Sequence, residues 1–165
     1  MSIFPTRILL ATDGSEEAEL AALRAVDLTQ STDSELHVVH VGVVPRFLES
    51  YPGTLGYERR IYEQIEEESR QRLRELSWQV KLAGGTLAGS HLRMGKVALE
   101  IVALAKELQA DLIVMGCRGH RGVRRAIEGS ISDGVIRDAP CPVLVVRSHE
   151  RAEAPERPAL LQGSR

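Results

Sequence analysis

The sequence predicts a single α/β domain built on a mostly parallel sheet. Five short apolar runs, Ile8 to Ala11, Leu36 to Val41, Leu87 to Leu92, Leu112 to Met115 and Val143 to Val146, alternate with longer segments of helical period. Four of the five are almost continuously apolar, as strands covered by helices on both faces must be. The chain has 165 residues, 43% hydrophobic and 27% charged, which suits one soluble domain with a real core.

Each connecting segment supports that reading. After the first run, Ala18, Ala21, Ala22, Ala25, Val26 and Leu28 recur at helical spacing, with Ser15 placed to cap and Glu16 and Glu17 in the positive first turn. After the second run, Pro45 to Gly56 carries two prolines, two glycines and aromatics, and reads as a mobile surface loop. A second long helix follows, with Tyr57, Ile61, Ile65, Ser69, Leu73, Leu76, Val80 and Ala83 on one stripe and a charge run from Glu66 to Arg74 on its solvated face. Gly84-Gly85 stops it. The third run, which alternates more than the others, is expected at a sheet edge. Past Gly95, Val97, Ala98, Ile101, Val102, Ala105 and Leu108 mark a third helix, and a fourth is expected to begin near Ser130 and end before Pro140. Residues 1–147 therefore form the expected domain, and the charged, proline-containing residues 148–165 an expected disordered tail.

Composition excludes several classes of function. The formal net charge is −2, so no basic field suggests nucleic acid or an anionic membrane as partner. No apolar run approaches the ~20 residues needed to span a bilayer. Met1 to Thr6 lead into the first apolar run without a basic n-region, so no secretory signal is read there. Cys117 and Cys141 fit neither a redox CxxC pair nor a disulfide framework, and a cytoplasmic location is expected.

In open α/β sheets ligands bind beyond the carboxyl ends of the strands, where the strand order reverses. Thr12-Asp13-Gly14-Ser15 follows the first strand, and Gly116-Cys117-Arg118-Gly119-His120-Arg121-Gly122 follows the fourth. Glycines let backbone N–H groups approach an anion closely, and Gly129-Ser130 then opens a helix whose N-terminus offers free donors, with the Ser130 and Ser132 hydroxyls beside them. Arg118, His120, Arg121, Arg124 and Arg125 add a local basic cluster. Together these features suit a polyphosphate.

Gly116-x-x-Gly119-x9-Gly129-Ser130 resembles the ATP-binding motif of universal stress proteins, Gly-x-x-Gly-x9-Gly-(Ser/Thr). The likeness extends to Ile8 through Ser15, to Ala110 through Gly116 and to Ala139 through Val146, and covers about Ile3 to Arg147. It implies an open five-stranded parallel sheet in the order 3-2-1-4-5 with helices on both faces, a Rossmann-like fold of the adenine nucleotide alpha hydrolase kind. It also implies a nucleotide site. Asp13 would bond the nucleoside, the backbone of Val41 would meet the adenine edge, and Ala11 would line the base pocket. Gly116, Gly119, Gly129, Ser130 and Ile131 would wrap the phosphates, and Thr12, Met115, Arg118, His120 and Ser132 complete the candidate nucleotide-binding residues. The implied ligand is ATP with Mg2+ or Mn2+, and Cys117 stands where the family often has a small hydroxyl residue.

The expected function is nucleotide-dependent regulation in a stress response, through a protein partner the sequence does not identify. Slow ATP hydrolysis or phosphotransfer is the alternative, and a nucleotide-independent interaction module the second. No Walker lysine is present: Gly89 and Gly95 have the wrong spacing, and Val97 follows Lys96 where Ser or Thr is needed. No catalytic residue is assigned, and Asp13 is also readable as a turn or cap residue. His37 and His40 lack a carboxylate or cysteine at ligand spacing, so they read as packing or solvent-facing residues and no protein metal site is expected. An apolar last strand left uncovered would expose unpaired backbone, which predicts a homodimer through Val143 to Val146.

Overall fold

A computed structural model of the chain describes residues 5–49, 56–117 and 131–147. The five apolar runs form strands β1 (Arg7–Ala11), β2 (Glu35–Gly42), β3 (Leu87–Met94), β4 (Leu112–Gly116) and β5 (Val143–Val146). They make one sheet in the order β3-β2-β1-β4-β5, with every neighbouring pair parallel. Parallel neighbours need crossovers, which α1 (Glu16–Thr32), α3 (Gly56–Leu82), α4 (Val97–Leu108) and α5 (Ile131–Asp138) provide.

The pleat sorts the core into two layers. Ile8, Leu10, Leu36, Val38 and Val114 face Ala21, Ala25 and Val26 of α1 and Leu73 and Val80 of α3. Leu9, Ala11, Val39, Val41, Ile113 and Met115 face Ile101, Val102, Leu104 and Ala105 of α4 and Val135 of α5. Ile8, Leu9 and Leu10 are wholly buried because β1 is central and covered on both sides. Each such side chain contributes roughly 1.5–3 kcal/mol of burial free energy.

Helix α1 begins as expected. The Ser15 hydroxyl accepts from the Ala18 amide at 3.3 Å, and Glu16, Glu17 and Glu19 fill the first turn. Its alanine face lets the helix axis lie close to the sheet.

Three local expectations need correction. Pro45 to Gly56 is not wholly loop: Arg46–Glu49 form a short helix, α2, with Leu48 buried, and α3 starts at Gly56, while residues 50–55 fall outside the described set. The apolar stripe of α3 is buried only from Ser69 to Val80; Tyr57 is 74% exposed and Ala83 is exposed beyond the helix end. Length explains this, since 27 residues at about 1.5 Å each outrun an eight-residue strand at about 3.3 Å each. The overhanging turns use local pairs instead, Arg59–Glu63 at 2.8 Å and Arg70–Glu66 at 2.6 Å. The third strand is an edge strand, as its alternation indicates, but it runs on to Met94.

Among the described residues no helix is long and apolar enough to cross a membrane. The expected tail, 148–165, lies outside the described residues.

Candidate functional site

From β1 the chain builds outward to β2 and β3 on one side, then returns to place β4 and β5 on the other. The order therefore reverses between β1 and β4, whose last paired residues are Ala11 and Met115. Sheets of this kind place their ligand crevice beyond such a pair, and the start of α1 and, since α3 runs antiparallel to the strands, its first half lie at that end of the sheet. The start of α5 lies at the same end of the sheet, because α5 runs back antiparallel to the strands it connects.

Leaving β1, the chain stays tethered for one residue: the Thr12 amide donates to Val39 O at 3.1 Å. Asp13 Oδ1 then accepts the Ser15 amide at 3.0 Å, and Gly14 takes a positive φ of 79° to complete the turn into α1. Of the two plain readings of Asp13 open in the sequence, the turn is the one seen, while Ser15 does the capping. The turn also fixes the carboxylate at the mouth of the crevice.

β2 extends three residues past Val39, the register partner of Ala11. The Val39 carbonyl points toward β1, as its bond to Thr12 shows, and the Gly42 carbonyl points toward β3, where it accepts the Gly95 amide at 2.9 Å. Strand alternation therefore turns the N–H and C=O of Val41 to the β1 side, beyond the end of β1. Its side chain, with those of Ala11 and Met115, is buried under α4 and α5. These three residues thus give the crevice backbone and a floor.

His40, next to Val41, has its ring nitrogen Nδ1 3.0 Å from the Thr12 carbonyl oxygen. Burial pushes this imidazole below its ordinary pKa, an effect to which Arg72 adds and which the Thr12 carbonyl and Asp13 oppose. The sequence reading missed this role, since it depends on which strand β2 lies beside.

At the end of β4, a Cβ on Gly116 would stand 2.8 Å from the Glu17 carbonyl carbon and 2.9 Å from the Ala18 amide nitrogen. The first turn of α1 packs onto this glycine. The Cys117 amide is engaged too, donating to Val146 O at 2.8 Å. These two positions of the glycine-rich loop serve the scaffold. Arg118, Gly119, His120, Gly129 and Ser130 lie outside the described residues. Ile131 opens α5, and Ser132 is buried in its first turn.

A five-stranded parallel sheet in this order, reversing between its first and fourth strands, defines a doubly wound α/β protein, a class whose ligands bind at that switch point. The sequence profile described as "Universal stress protein family" matches residues 5–147, and the chain belongs to that family. It is 37% identical over 147 residues to a putative universal stress protein of Staphylococcus haemolyticus, covering 88% of this chain and 87% of the relative. A universal stress protein of Methanocaldococcus jannaschii is 34% identical over 152 residues, covering 88% and 84% respectively. Among solved structures, a universal stress protein in complex with cAMP superposes with a TM-score of 0.66 at 22% identity, covering 88% of this chain and 99% of that one. At that identity the likeness speaks for the fold.

Proposed function

We propose that the protein binds ATP in the crevice between β1 and β4 and acts as a nucleotide-dependent regulator in a stress response. The observation that carries the reading is the backbone of Val41, turned to the β1 side beyond the end of that strand, where the chain leaves β1 through the Asp13 turn. An outward strand edge offers one donor and one acceptor, which is what an adenine edge requires. Asp13, with one oxygen held by the Ser15 amide, would accept from a ribose hydroxyl. Gly119, Gly129 and Ser130 then supply the phosphate contacts, with Ile131 and Ser132 at the helix start behind them.

Among the described residues no group of three or more His, Cys, Asp or Glu side chains converges to hold a metal. A cation accompanying ATP would ride on the phosphates and keep much of its water, as Mg2+ commonly does. Regulation requires only that ATP favour one conformation of the surface around Pro45 to Gly56, which lies between β2 and α3. Protection of that segment from proteolysis by saturating ATP supports this switch, and indifference to ATP excludes it.

β5 ends the described sheet, and Leu144 is 38% exposed on it. Pairing this edge with a second copy would satisfy its backbone and cover Leu144. Light scattering at micromolar concentration tests the homodimer, which a monomer would refute. Calorimetry of ATP with the wild type and with Gly119→Val tests the site.

A further inference from the structure

Lys96 stands at the turn from β3 into α4, where the spacing of Gly89, Gly95 and Val97 does not frame it as a Walker lysine. The fold brings it toward the start of α5 by another route. The Gly95 amide donates to Gly42 O at 2.9 Å, so the turn is pinned to the residue that follows Val41. Gly95 takes a φ of 144°, which other residues rarely adopt, and Lys96 next to it is the N-cap of α4.

Helices α4 and α5 both run back from the same end of the sheet, so they lie side by side in the same sense. Their closest approach sets the level: a Cβ on Gly134 would stand 3.0 Å from that of Ala98. Lys96 comes two residues before Ala98 and Ile131 three before Gly134, which at about 1.5 Å per residue leaves the two starts offset by only about 1.5 Å along the axes. Lys96, Leu99, Ile131 and Gly134 line one groove between the helices. Packed helix axes are about 8–10 Å apart, a gap that the long stem of a lysine largely bridges.

Lys96 is exposed and takes part in none of the ion pairs formed among the described residues. Arg137, the other cation lining the groove, lies further down α5 and is paired with Asp138 at 3.4 Å. Asp133 in the groove and Glu100, whose carboxylate lies against Gly95, would repel a polyphosphate, and Lys96 offsets that charge. We propose that Lys96 is a phosphate-binding residue of the nucleotide site, reaching from the start of α4 to the phosphate chain at the start of α5 and favouring a charged nucleotide over a nucleoside. This role rests on the ATP site proposed above. A lysine ammonium serves phosphate as a point charge, so it acts from the neighbouring helix without belonging to the glycine-rich loop.

The test titrates ATP with MgCl2 by calorimetry into the full chain, freed of bound nucleotide, for the wild type, Lys96→Gln, Lys96→Arg and Gly119→Val. The proposal expects Lys96→Gln to weaken ATP binding about tenfold and Lys96→Arg to recover most of the loss. The fall in affinity between about 50 mM and about 300 mM NaCl should also be shallower in Lys96→Gln, a change that a merely structural role would not produce. Its urea midpoint should stay close to wild type. Wild-type affinity in Lys96→Gln beside weakened binding in Gly119→Val would overturn the role of Lys96 and leave the nucleotide site standing. Equal losses in Lys96→Gln and Lys96→Arg with unchanged salt dependence would do the same, whereas no ATP binding by the wild type would overturn both.

Discussion

His40 Nδ1 sits 3.0 Å from the carbonyl oxygen of Thr12, one residue past the last paired position of β1 and β2. A side chain here takes over where the backbone ladder stops, and it holds the turn that aims Asp13. Asn can present an amide donor near the place of Nδ1, whereas Leu cannot. His40→Leu should therefore weaken ATP binding by about tenfold, the worth of a hydrogen bond of roughly 1–1.5 kcal/mol. His40→Asn should recover most of the loss. Calorimetry on both variants checks this, and equal affinities would remove the role assigned to the bond.

Gly116 and Gly119 should separate by what they damage. Gly116→Ala forces a methyl group against the backbone of Glu17 and Ala18, so urea denaturation should show a loss of about 1–3 kcal/mol from overpacking. Gly119→Val should lower nucleotide affinity while leaving the urea midpoint close to wild type.

Ser15→Ala removes the acceptor for the Ala18 amide at the head of α1. Urea or thermal unfolding should register about 1 kcal/mol. Because the same residue donates its amide to Asp13, whose bond survives the change, ATP affinity should move little.

Acid should destabilise the protein before its carboxylates titrate. His40 and His91 are both held below the ordinary imidazole value of about 6.5 by burial first of all. Between the lowered folded values and about 6.5 the unfolded chain binds more protons, so stability rises with pH and falls on acidification through that window. Glu35 and Asp111, whose pKa values hydrogen bonds lower, add stability that is lost only at more acidic pH. Melting in chelator from about pH 7.5 down to about pH 5.5 should show a falling Tm, with a shallower slope in His91→Asn. A flat profile would contradict the burial of these rings.

Much of the architecture was legible because local pattern and tertiary demand agree. The continuous apolar runs of β1, β2 and β4 became well-buried strands, whereas that of β5 lies at the sheet edge and only partly buried, and Ser15 and the alanine face of α1 behave as their spacing indicates. The overhang of α3 was not legible, since the stripe continues to Tyr57 although the sheet beneath it ends. Similarly, Gly116 looks like a phosphate residue in the motif, and only the packing of α1 reveals its structural duty. His37 and His91 lie 54 residues apart and meet through a register that includes a shift between Leu36 and His37, which no spacing rule anticipates.

The central claim is nucleotide binding at the switch point, and calorimetric titration of ATP into the wild type and Gly119→Val tests it most directly. Saturable binding of about one ATP per chain, lost or weakened about tenfold or more in the variant, is the predicted result. Absence of binding to the wild type, or equal affinity in both proteins, would contradict it.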